Sequence, residues 1–318
     1  MSFFEILPPS VLFFALGFAA AALRSDLSVP DALAKALSLY LMMAIGLKGG
    51  IAIAQPGASA GLLPALALGI ALSAFLPLPA YGLLRAATPL DKATAAAVSA
   101  HYGSVSVVTF AAAVGQLNAT NTPYEGFMPA VLAAMETPAI LTALLIARRG
   151  GAATSGGARE MAREVFLNGS VVLLLGAFFV GLVIGKDKYA AISPVFTTGF
   201  SGILCLFLLD MGLVAVRRLR ESRGMTLRLA SLGIALPLIN GSLGLGAALL
   251  LGLHAGTAAA FAMLAASASY IAVPAAMRMA LPKADPGIYL SMSLAVTFPF
   301  NIIVGIPLFA ALASRFAG

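Results

Sequence analysis

Two stretches of this chain place small hydroxyl residues where a purely structural apolar run would place leucine. One is SVSVVTFAAA (104–113), with His101 and Gly103 just before it, and the other is SASYIAVPAA (267–276). Pro274 has no amide N–H and disfavours helix at the preceding Val273, so an interruption near 269–273 is expected. A helix broken inside an apolar run frees N–H groups at the start of its second half, and with the local dipole these suit an anion. Ser104, Ser106, Thr109, Ser267 and Ser269 supply hydroxyls at the same places. Together with freed carbonyls, such hydroxyls suit a hard cation such as Na⁺. Small and hydroxyl residues also serve ordinary helix–helix contacts in membranes. Their recurrence in two related stretches, one with a helix breaker, favours the binding reading.

Ionisable residues within apolar runs are few, and each is a functional candidate. Glu136 stands in METPAI (135–140), followed by Thr137 and Pro138; the related VTFPFNI (296–302) offers Thr297 and Asn301. A carboxylate, an amide and hydroxyls beside proline-loosened backbone suit cation coordination, while a protonated glutamate bonded to a neighbouring helix is the structural alternative. Asp210, seven residues before Arg217, suits an ion pair or a gate. His101 suits a structural donor or a proton relay. Asn240 and Gly241 in PLINGSLG (237–244) mark either another loosened helix or plain packing. No basic residue falls mid-run near these positions. An anion would rest on N–H dipoles, hydroxyls and a co-bound cation, which favours a small, singly charged, oxygen-rich species.

The elements that must position these residues follow from composition. The 318 residues are 61% hydrophobic and only 10% charged, with a mean hydropathy of +1.01, against about 25% charged in a soluble protein. Apolar runs of about 20 residues, the length a ~30 Å hydrocarbon core demands, recur throughout. Period-two alternation is absent, which argues against a barrel. The first run lacks a basic leader and is read as retained. The single cysteine, Cys205, excludes an internal disulfide or a cysteine metal cluster. Ten spans fit, at about 9–23, 32–54, 61–84, 93–116, 126–147, 165–185, 192–215, 227–252, 256–280 and 287–313. The fold class is therefore an all-α polytopic membrane protein.

Odd-numbered connections hold 15 of the 19 Lys and Arg. By the positive-inside rule both termini lie on the outer side of a bacterial-type inner membrane, and the linker 148–164 is cytoplasmic. The formal charge of +7 thus reflects topology in the lipid bilayer rather than a nucleic-acid partner. The halves 1–147 and 165–318 also match one another. Gly46 aligns with Gly212, Ser104 with Ser267, Ser106 with Ser269 and Pro138 with Pro299. Five helices per half reverse the second half, giving a 5+5 inverted repeat, the architecture of alternating-access transporters. An intramembrane enzyme using His101 and Glu136 would need a nucleophile paired with a base, and no such set is recognisable. A regulatory scaffold would not need repeated serine pairs.

The motifs IGLKGGIAIA (45–54), HYGSVSVVTF (101–110), METPAIL (135–141), LLDMGLVAVRR (208–218), PLINGSLG (237–244) and SASYIAVPAAMRMALPKADPGIYLSMSLAVTFPFNIIVGIPL (267–308) span almost the whole chain. In them the sequence resembles the sodium-dependent bicarbonate transporter family. The resemblance implies a gate domain from helices 1, 2, 6 and 7 and a core domain from helices 3–5 and 8–10, with helices 4 and 9 broken and crossing. It implies a homotrimer and elevator-type Na⁺/bicarbonate symport without a further cofactor. Substrate would lie on Gly103, Ser104, Ser106, Ser267, Ala268 and Ser269, with Na⁺ among Thr109, Glu136, Thr297 and Asn301. It also implies a PII-like regulator on the cytoplasmic face. Another small carboxylate is the alternative substrate.

Overall fold

The computed structural model describes residues 8–55, 61–151, 169–222 and 224–317, and these are helical, with no strand among them. The chain begins with α1 (Pro9–Ala22) and α2 (Asp31–Ile53). A run with prolines at 77 and 79, α3 (Leu62–Ala87), follows. Next come α4 (Lys92–Gly103), α5 (Val107–Ala119), α6 (Met128–Met135) and α7 (Pro138–Arg149). The second part holds α8 (Gly169–Tyr189), α9 (Pro194–Glu221), α10 (Leu227–Leu250), α11 (Ala255–Ala266), α12 (Ala272–Ala280) and α13 (Pro286–Phe316). With short interruptions bridged, seven described stretches are long and apolar enough to cross a membrane, and α1 and α11 are shorter apolar helices. The chain is a multi-pass helical protein. Of the basic linker, residues 152–164 lie outside the described residues, as do Arg159, Arg163 and Arg223.

Two pairs of helices pack lengthwise across the halves: α1 along α9, and α2 along α8. Glycines allow both approaches. A Cβ on Gly46 would stand 2.5 Å from the Leu174 carbonyl oxygen, and one on Gly212 would stand 2.6 Å from the Phe18 amide nitrogen. These two glycines do the same thing, bringing two backbones into contact as small residues do between membrane helices. α4 and α11 sit deepest: every residue of Ala255–Ala266 after the first is buried, as is every residue of α4 after Lys92.

Two expectations are corrected. The interruption spans residues 267–271 rather than 269–273: Val273 is helical, and Pro274 sits in the first turn of α12. The first turn tolerates proline because its N–H groups have no intrahelical partner. Asn240 and Gly241 do not loosen their helix either, since α10 runs unbroken through Pro237 to Leu250. The backbone instead departs from α-helix in α13, where Ser291–Thr297 and Asn301–Gly305 form wider π turns on either side of Pro299.

Candidate functional site

The break between α4 and α5 is built by capping. Ser104 ends α4 in extended backbone, and Ser106, also extended, caps α5 by accepting the Thr109 amide N–H at 3.2 Å. The break between α11 and α12 begins likewise at Ser267, whose hydroxyl donates to the Leu264 carbonyl at 2.8 Å. The two breaks then hold each other. The Ser106 N–H donates to the Ser267 hydroxyl at 2.9 Å, and the Ser269 N–H donates to the His101 carbonyl at 2.9 Å. His101 Nδ1 meets the Ser269 carbonyl. A carbonyl only accepts, so Nδ1 carries the proton, and Nε2 keeps a lone pair that is buried without a partner. The ring stacks on Tyr289 at 4.6 Å.

Amides from neighbouring helices cover the ends of both first half-helices. Asn240 Nδ2 donates to the Tyr102 carbonyl, and Asn301 Nδ2 donates to the Ala266 carbonyl, each at 2.9 Å. Both Oδ1 atoms are buried with no hydrogen-bond partner. Asn240 is thus a cap on α4, not the mark of an irregular helix. Pro237 leaves the Gly233 carbonyl, four residues before it, without an intrahelical donor. The Thr297 hydroxyl fills that need at 2.6 Å while accepting from the Tyr102 hydroxyl at 2.6 Å.

The third interruption, at Glu136 and Thr137 between α6 and α7, is stitched by serines from elsewhere. Ser104 Oγ donates to the Glu136 carbonyl at 3.0 Å. Ser73 Oγ, from α3, donates to the Met135 carbonyl at 2.6 Å and accepts the Ala139 N–H at 3.2 Å. Ser73 was missed in the sequence because it stands alone in an apolar run. The Glu136 side chain is 4% exposed and its Oε2 has no partner.

Ser106, Glu136, Ser269 and Tyr270 line one cavity of about 10 Å³, the room a single water needs. Val105, Ile271 and the first residues of α5 and α12, Val107 and Ala272, complete its wall. The cavity therefore lies at the starts of two half-helices, lined by three hydroxyl-bearing residues and one carboxyl-bearing residue. Ser104, Ser267 and Ala268 are buried beside it, and Gly103 ends α4 tightly, where a Cβ would stand 2.9 Å from that of Ala139. Thr297 and Asn301 are not joined to Glu136 by a hydrogen bond; they attend the ends of α4 and α11. Asp210 is buried on α9 and forms no ion pair with Arg217. Pro274, two residues after Ala272, does not line the cavity. A wider cavity of about 590 Å³ lies between α3, α6, α7 and α8, but its apolar lining offers an anion little beyond Thr137.

No group of three or more His, Cys, Asp or Glu among the described residues suits a transition metal. Among the buried oxygens without a partner, those of Asn240, Asn301 and Glu136 are of the hard type that an alkali cation takes.

A search of curated proteins finds no match to the chain. A family model described as the Na⁺-dependent bicarbonate transporter superfamily matches residues 9–314.

Proposed function

This chain belongs to the Na⁺-dependent bicarbonate transporter superfamily, and from that premise we propose that it takes up bicarbonate in symport with Na⁺ by an elevator-type movement. The family is one of transporters, so the chain is not an enzyme, and the reading through His101 and Glu136 is set aside. The observation that carries the proposal is the cavity at which the starts of α5 and α12 meet the Ser106 and Ser269 hydroxyls. Helix starts inside a membrane are the usual means of holding an anion without a basic side chain.

In this reading the anion lies on the backbone and hydroxyls of Gly103, Ser104, Ser106, Ser267, Ala268 and Ser269. A trigonal anion of four heavy atoms exceeds about 10 Å³, so the 267–271 turn yields as substrate enters. Na⁺ offsets the charge from among Thr109, Glu136, Thr297 and Asn301. Glu136 and Asn301 are the stronger candidates because each keeps a buried oxygen free, whereas the Thr297 hydroxyl is committed to Tyr102 and Gly233.

The ten spans would form a 5+5 inverted repeat, with α1, α2, α8 and α9 as the gate domain and the remaining helices as the moving core. The matched glycine contacts of α1 with α9 and α2 with α8 support one rigid scaffold. A homotrimer in an inner membrane, with termini outside and a PII-like regulator on the basic inner face, completes the proposal.

The test is uptake of labelled bicarbonate into proteoliposomes with and without an inward Na⁺ gradient. Gradient-dependent accumulation is expected, and equal uptake in both conditions would refute symport. Formate or acetate outcompeting bicarbonate would move the substrate to another small carboxylate.

A further inference from the structure

We propose that Tyr270 is a specificity-determining residue of this site, its phenol hydroxyl contacting the bound oxyanion. The inference rests on the transport reading above and names a side chain that the serine pattern leaves out. Tyr270 follows Ser269 in the break, and its buried hydroxyl lies near Ser106 without forming a well-aligned hydrogen bond to it or to any other described group. Tyr102, buried in the same membrane-spanning bundle, shows the ordinary solution, since its hydroxyl is bound to Thr297 at 2.6 Å. A buried phenol left without a partner costs free energy, so its retention beside the cavity has a cause outside the protein's own hydrogen bonds. Glu136, 4% exposed with Oε2 likewise unpartnered, lines the same cavity. Two residues that each keep a buried, unpartnered oxygen therefore line one small space.

The ring is held from behind. It packs edge-on against Phe298 (5.6 Å between centroids, 69°), which packs edge-on against Phe14 of α1 (5.7 Å, 77°). A polar group fixed in this way needs little ordering when the ligand arrives.

The chemistry selects the ligand class. Helix starts and serine hydroxyls donate hydrogen bonds, so they satisfy the charged oxygens of any small carboxylate or oxyanion. Bicarbonate alone among the simplest candidates also carries an O–H that requires an acceptor. A phenol both donates and accepts. Tyr270 can therefore donate to a charged oxygen or accept from the substrate O–H, and formate, acetate and nitrate lack that second partner. A site built to bond a substrate hydroxyl rejects analogues without one.

Tyr270→Phe removes only the hydroxyl, and with it no well-formed protein hydrogen bond but at most the approach to Ser106. The expected result at saturating Na⁺ is a bicarbonate KM raised about tenfold or more, the loss of one bond to a charged group, with Vmax retained. Without substrate the variant's Tm should equal or exceed the wild-type value. Its stabilisation by added bicarbonate should need about tenfold more ligand, and formate should compete better against bicarbonate than in the wild type. A wild-type KM, or a lowered Tm without substrate, would overturn the proposal. So would a loss of Na⁺ affinity with bicarbonate KM unchanged, which would make the hydroxyl a cation ligand. Wild-type vesicles run beside the variant separate the two claims. If they show no Na⁺-driven bicarbonate uptake, both fall; if they show it and the variant matches them, only the role of Tyr270 falls.

Discussion

Ser267→Ala is the substitution that most sharply tests the mutual support of the two breaks. The hydroxyl accepts the Ser106 N–H at 2.9 Å and donates to the Leu264 carbonyl at 2.8 Å. In the alanine variant the Leu264 carbonyl keeps the Ser267 amide, which donates to it at 3.2 Å, so that acceptor stays satisfied. The Ser106 N–H loses its partner at a residue only 4% exposed. An orphaned buried donor costs about 1–3 kcal/mol, while side-chain bonds within membrane proteins average about 0.6 and reach about 1.7 kcal/mol. The membrane figure governs here, and burial of the donor places the cost in its upper half, about 1–1.7 kcal/mol. Ser99→Ala is the control: that hydroxyl is also fully buried but bonds only within its own helix, to the Ala96 carbonyl, and should cost under about 0.5 kcal/mol. Unfolding free energies measured in bicelles, together with bicarbonate KM in vesicles, should show Ser267→Ala less stable and weaker in uptake, with Ser267→Thr restoring part of both. If Ser267→Ala matched Ser99→Ala in stability and the wild type in KM, the bond between the breaks would not matter and the reasoning would fail.

Other expectations follow from the same geometry. Asn301→Ala uncovers the Ala266 carbonyl and deletes a free amide oxygen, so the Na⁺ concentration for half-maximal uptake should rise several-fold; an unchanged Na⁺ dependence would remove Asn301 from the cation site. In a double-mutant cycle, Tyr102→Phe and Thr297→Val should show a coupling of about 0.6 kcal/mol or more, and additivity would contradict the bond between them. Gly46→Val and Gly212→Val should each lower Tm markedly, because even a Cβ meets backbone atoms there, whereas Gly82→Ala, with open space around it, should not. Asp91 caps α4 outside the apolar span. Partial burial works against its charge, but bonds from the Thr94 hydroxyl and the Ala93 and Thr94 amides outweigh that and hold the carboxyl below its usual range. Its contribution is thus present at neutral pH and lost as pH falls through and below the ordinary carboxylate range. Asp91→Asn should flatten that acid limb of a Tm–pH profile.

The two helix breaks were readable in the sequence because serines in apolar runs, Ser104 and Ser106 in one and Ser267 and Ser269 in the other, carry their own signal. Hydropathy placed the helices because lipid enforces length. What it left hidden are partners supplied by other helices. Ser73 looks like an isolated small residue until its hydroxyl bridges Met135 and Ala139. Asn240 looked like a helix breaker but is a cap reaching Tyr102 from an intact helix. Pro237 and Thr297 answer one another across 60 residues, a pairing that no local rule reveals. Proline position placed the second break two residues too far along, since Val273 is already helical and Pro274 sits in the first turn of α12. Tyr270 was hidden for another reason: an orphan hydroxyl is visible only once all its neighbours are in place.

The central claim is that anion and cation meet where α4–α5 and α11–α12 hold each other. Linkage makes their binding reciprocal: each ligand must raise the other's affinity by the same factor. The direct measurement is the bicarbonate affinity of the purified protein in Na⁺ against choline, for the wild type and for Ser269→Ala. The account predicts tighter binding in Na⁺ for the wild type, and a weakened bicarbonate response in Ser269→Ala without loss of folding. Equal affinity in both salts, or a Ser269→Ala variant that binds like the wild type, would contradict it.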